Sequence, residues 1–193
     1  MQAGGEASLA RGRAAEGVDA MLRKFLTERQ DRIGELWLDS ILAEYHPEAA
    51  DFFKRTRDAF HNPVGSTLRT QTRAVVEGLA SGSDAAALDS ALESMIRIRS
   101  VQDMNPSKAV SIILKLKTVV RDEARTAGNL ETISDELEEL MDALLLRAFD
   151  LYAACREQVY SIRLNEVRNR SMKVMERLNS WREGRVHARK TES

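Results

Sequence analysis

A chain of 193 residues that is 43% hydrophobic and 5% aromatic, with 10 Gly and 3 Pro, suits one helix-rich domain plus an appendage, and it has no run near the roughly 18 apolar residues of a membrane span. Its 29 basic and 30 acidic residues nearly cancel, which argues against a protein that wraps nucleic acid along its whole surface. One cysteine, Cys155, forbids an internal disulfide, so the expected compartment is a reducing cytoplasm.

The opening MQAGGEASLARGRAAEG lacks a continuous apolar stretch, so it is no secretory signal and reads as a disordered arm over residues 1–17. From Val18 to Tyr45 the residues Leu22, Phe25, Leu26, Ile33, Leu36, Trp37 and Ile41 recur at helical spacing, predicting one long helix or two abutting ones that end at His46-Pro47. A short helix over Glu48 to Asp58 presents Phe52 and Phe53. Asn62-Pro63 then opens a helix with Val64, Leu68, Val75 and Leu79 on one face, and Gly82 closes it. Ser83 or Asp84 caps a helix carrying Leu88, Leu92, Met95 and Ile96. Asn105-Pro106 repeats the opening device, with Asn105 as N-cap, ahead of Ala109, Ile113, Leu116 and Val120, and Gly128 ends that helix. No segment alternates with period two between turn signals, so the expected fold class is all-α.

The last element is long. Leu130 to Trp181 contains neither Pro nor Gly. An unbroken helix over that stretch reaches about 75 to 80 Å, whereas a globule of about 145 residues is only about 40 Å across. Part of the helix is therefore expected to protrude. Leu137, Leu140, Leu144, Ala148, Leu151, Cys155, Val159 and Ile162 form one stripe, read as packing on the domain. After a slip of two residues a second stripe follows, Leu164, Val167, Ser171, Val174, Leu178 and Trp181, whose strict 3,4 spacing reads as a short coiled-coil seam in a homodimer. The competing reading is a frayed tail with incidental leucines, since Ser171 occupies a core position. The organisation expected is a helical domain over residues 18–162, a protruding helix over 163–182 and a basic disordered tail over 183–193. Residues 168–190 hold eight Lys or Arg against two Glu, which more often marks a solvated helix face than a phosphate-binding surface.

No catalytic, cofactor or metal constellation emerges. The three histidines are His46, His61 and His187, so no histidine between residues 62 and 186 is available to a haem. The acidic run ETISDELEELMD, residues 131–142, lacks the Glu-x-x-His partners of a bundle metal centre and suits a helix N-terminus. Cys155 sits on the first stripe as a small hydrophobe. With no Gly-rich phosphate loop, GxSxG elbow or CxxC pair, the chain is read as a non-enzyme. The densest polar cluster is IRIRSVQD: Arg99 and Asp103, four apart, can pair, and Asp103, Asn105 and Ser107 are read as organising the turn between two helices. A small-anion pocket there is the weaker reading, because Pro106 removes one donor.

The motifs WLDSILAEYHPE, DAFHNPVGSTL, ALESMIRIRSVQDMNPSKAV, LKLKTVVRDE and AFDLYAACREQVYSIR together resemble the N-terminal sensor domain of RsbR/RsbRD-type RsbT co-antagonists, the stressosome proteins, over roughly residues 20–165. The resemblance implies a globin-like helical fold without haem, which dimerises and continues through its C-terminal helix into a STAS domain. The matching motif residues are Asn62, Pro63, Val64, Gly65, Ile96, Arg97, Arg99, Gln102, Asp103, Pro106 and Ser107, with no catalytic role implied. The sequence stops twelve residues after Trp181, so the expectation is that the output partner is a separate STAS-domain protein or kinase, or the dimer itself. The expected function is a cytoplasmic sensor or adaptor; the alternative is a globin-like protein that binds a ligand or cofactor other than His-ligated haem.

Overall fold

The computed structural model describes the backbone of residues 3–191 except positions 57, 83, 84 and 103, and the side chains of residues 20–178 with the same exceptions. Seven helices and no strand follow among the described residues: α1 (Ala3–Leu42), α2 (Pro47–Arg55), α3 (Pro63–Ser81), α4 (Ala85–Val101), α5 (Pro106–Val110), α6 (Ile112–Thr126) and α7 (Leu130–Thr191). The chain divides into two compact units, residues 1–153 and 154–193, and α7 contributes to both.

The core of the first unit is assembled from apolar faces at helical spacing. Helix α1 supplies Phe25, Leu26, Ile33, Trp37 and Ile41; α3 supplies Leu68, Val75, Val76 and Leu79; α4 supplies Leu92, Met95 and Ile96. Helix α6 adds Ile112, Ile113, Leu116 and Val120, and α7 closes the cluster with Ile133, Leu137, Met141, Leu144, Ala148 and Tyr152. Each fully buried Leu or Ile contributes about 1.5–3 kcal/mol. Trp37 is fully buried, and its indole N–H donates to the Ile112 carbonyl at 2.7 Å, so the polar edge of the ring has a partner inside the core. The inward face of α7 is thus broader than the leucine stripe suggested, because Ile133, Met141 and Tyr152 share it.

Helix ends follow local chemistry. Gly82 has φ 61° and its N–H bonds the Gly78 carbonyl at 3.0 Å, a left-handed stop that a Cβ would strain. Helix α2 begins at Pro47 and ends at Arg55, short of the Asp58 expected. The proposed cap at Ser83 or Asp84 lies outside the described residues.

One element differs in kind from the reading. The single helix read from Asn105-Pro106 to Gly128 is two, α5 and α6, joined at Ser111 (φ −60°, ψ −14°), whose hydroxyl turns back to the Lys108 carbonyl at 2.9 Å. Helix α1 starts at Ala3 and α7 runs as far as Thr191; the side chains of residues 1–17 and 183–193, the segments read as a disordered arm and tail, lie outside the described residues.

In the second unit Cys155 is buried, as its stripe requires, and Val159 is half-buried. Ile162, assigned to the same stripe, is instead exposed. Beyond it Leu164, Val167, Val174 and Leu178 are 54–70% exposed, while the Trp181 side chain lies outside the described residues.

Candidate functional site

The two stretches that carry the family motif fold into different devices. At the start of α3, Asn62 is buried and its side chain is fully used. Its Oδ1 accepts the Gly65 N–H at 2.9 Å, while its Nδ2 donates to the carbonyls of Thr56 at 2.7 Å and Phe53 at 3.1 Å. One amide therefore caps α3 and ties down the carbonyls at the end of α2. Gly65 leaves room for that amide, since a Cβ there would collide with the Asn62 side chain. Pro63 is exposed at the first helical position, and Val64 packs against the core.

At α5 the corresponding Asn105 is exposed and makes no side-chain cap bond, contrary to the sequence reading. The work is done from elsewhere. Arg99 of α4 is fully buried; its Nε donates to the Ala109 carbonyl at 3.0 Å and its Nη2 to the Lys108 carbonyl at 2.8 Å and to the Glu44 carboxylate. Lys115 of α6 pairs with the same carboxylate at 3.3 Å. Burial pushes the Glu44 carboxyl up, but the Arg99 and Lys115 bonds and charges outweigh it and leave its pKa lowered. Tyr152 of α7 donates to the Met104 carbonyl at 2.8 Å, and the Tyr45 hydroxyl meets Gln102 Oε1 at 3.1 Å. With Trp37 on Ile112 at the head of α6, the carbonyls along the connection from α4 to α6 are bonded by side chains from α1, α4 and α7. The partner foreseen for Arg99, Asp103, lies outside the described residues.

The remaining motif residues have lesser roles. Ile96 is fully buried, Arg97 is exposed and pairs with Glu93 at 2.5 Å one turn earlier, and Pro106 and Ser107 are exposed on α5. A shallow groove of about 510 Å³ opens between α1 and α6 beside the Glu44 pair, lined by Ser40, Leu114, Lys115 and Val119 among others.

Sequence reasoning missed Glu123. It is buried on α6 and accepts Arg32 Nε at 2.8 Å and Arg29 Nη1 at 2.9 Å, both from α1. Burial raises its pKa, and the Arg32 and Arg29 bonds reverse the balance, so it stays lowered. The signal was present: Glu123 falls on the stripe of Leu116 and Val120, where an acid needs cationic partners. The acidic run of α7 likewise has partners, since Glu138 pairs with Lys117 and Arg121 of α6, the latter at 3.2 Å. Among the described residues no group of three or more His, Cys, Asp or Glu could hold a metal ion. No described helix is long and apolar enough to cross a membrane.

The family model described as RsbT co-antagonist protein rsbRD N-terminal domain matches residues 31–167. That interval takes in both clamped connections and the first residues of the exposed stripe. No curated protein matches the chain, and no solved structure does.

Proposed function

We propose a role in signalling for this chain, which belongs to the RsbT co-antagonist protein rsbRD N-terminal domain family: a non-enzymatic cytoplasmic sensor or adaptor of the stressosome type. In this reading the globular unit receives the signal and two copies associate, while α7 relays the change to an output partner, a STAS-domain protein or a kinase. Asn62 and Arg99 are framework residues of the sensor rather than reactive groups.

One observation carries the reading. A continuous helix joins a well-packed unit, through Tyr152, to a stretch whose apolar residues Leu164, Val167, Val174 and Leu178 are exposed at coiled-coil spacing. Such a stripe on a lone helix exposes several large apolar groups to water, and another helix covers it. Sedimentation velocity of the full chain at micromolar concentration tests the association. A dimer is expected, and a chain that stays monomeric overturns it.

A further inference from the structure

We propose that Arg99 holds a small monovalent anion, of the class of chloride, nitrate or formate, at its Nη1, beside Tyr45 and Gln102. A guanidinium carries five N–H donors. Nε gives its one to the Ala109 carbonyl, and Nη2 gives its two to the Lys108 carbonyl and the Glu44 carboxylate. Nη1 keeps both of its own, because it is buried without a hydrogen-bond partner in a side chain that is fully enclosed. Among the described residues it is the one buried side-chain nitrogen or oxygen so placed. Donors of a buried charged group are seldom left in that condition, since nothing then offsets their loss of water.

Charge and neighbours name the class of ligand. Arg99 and Lys115 bring two positive charges to the single carboxylate of Glu44, so this cluster keeps a surplus of one, which a monovalent anion balances. The same carboxylate repels anything doubly charged. With Nη2 already occupied, the two-pronged grip that a guanidinium offers phosphate or sulfate is closed, and an acceptor bound at one point fits instead. Tyr45 supplies a further donor. Its pKa is raised, by burial first and against the opposing charge of nearby Arg99, so the hydroxyl keeps its proton. That hydroxyl meets Gln102 Oε1 at 3.1 Å. Gln102 is exposed just past the end of α4, where its N–H reaches the Ile98 carbonyl at 3.3 Å, so its amide is free to turn aside and let the Tyr45 hydroxyl point to the anion. The donors are thus side chains, not the N–H groups at the start of α5 that Pro106 depletes.

The test follows the chloride NMR linewidth of sodium chloride solutions titrated with the full-length chain at constant ionic strength. Saturable broadening is expected, reversed by sodium nitrate or sodium formate at a concentration about tenfold or more below that of sodium sulfate. Arg99→Lys should abolish it, because a lysine at that position keeps the charge and loses Nη1. Tyr45→Phe/Gln102→Ala should weaken the affinity about tenfold, and this variant decides the matter if circular dichroism shows that Arg99→Lys does not fold. Glu44→Gln should tighten binding several-fold by removing the nearby negative charge, an effect that damage to the fold would not produce. Broadening that is unchanged in Tyr45→Phe/Gln102→Ala places the chloride on other cations of the surface and overturns the proposal. Displacement by sulfate as readily as by nitrate overturns it in favour of general attraction to positive charge. Absence of saturable broadening overturns it outright, leaving water as the partner of Nη1.

Discussion

Asn62-Pro63 and Asn105-Pro106 are the same dipeptide at the head of two helices, yet only the first asparagine acts through its side chain. Asn62 is enclosed between the end of α2 and the first turn of α3, so its amide must find partners and finds three. Asn105 is exposed ahead of a five-residue helix, so nothing obliges its amide to find a protein partner, and it makes no side-chain cap bond. There the order comes from a distance: Arg99, Tyr152 and Trp37 reach in from α4, α7 and α1 and bond the carbonyls directly. A capping motif thus names where a helix begins, while burial decides which residue holds it there.

The sharpest way to break this contrast is Arg99→Ala, which opens the carbonyls of Lys108 and Ala109 and strips Glu44 of its main partner. We expect a loss of about 3–5 kcal/mol in urea unfolding followed by tryptophan fluorescence. A loss below about 1 kcal/mol would show that α5 is held some other way. Asn62→Ala comes next, at about 2 kcal/mol, because a cap and two carbonyl acceptors are lost together. Acid should separate the two regions. The Glu44 carboxyl is lowered from its ordinary 4.5, so its pairing is fully present above that value and is lost as pH falls through the lowered folded value. Unfolding free energy should therefore drop below about pH 4.5, and drop less in Glu44→Gln, which has no charge to lose there. A wild-type-sized drop in Glu44→Gln would assign the acid sensitivity to other groups, Glu123 first. Tyr152→Phe removes one neutral hydrogen bond and should cost about 1 kcal/mol. Asn105→Ala is the smallest, within about 0.5 kcal/mol, and a cost as large as that of Asn62→Ala would erase the distinction.

Periodicity made most of the architecture legible. The apolar faces of α1, α3, α4 and α6, the stops at Gly82 and Gly128, and the long final helix all follow from spacing and from residues with fixed backbone habits. The IRIRSVQD cluster was read as organising a turn through Asp103, Asn105 and Ser107, with Arg99 able to pair with Asp103; Asn105 makes no side-chain cap bond, and Asp103 lies outside the described residues. The partners that Arg99 takes were not legible, because Glu44 lies 55 positions away and the Lys108 and Ala109 carbonyls belong to backbone that every sequence possesses. The break at Ser111 was hidden for a related reason: a serine hydroxyl turning to its own backbone leaves no mark on hydrophobic spacing. The buried acid at Glu123 was readable in principle, as a carboxylate on an apolar stripe.

The hydroxyl of Tyr152 indexes α7 against the rest of its unit. It reaches the Met104 carbonyl at 2.8 Å, so the placement of the helix and the path of the link between α4 and α5 share one bond. A displacement of α7 that lengthens this bond is felt first in that link.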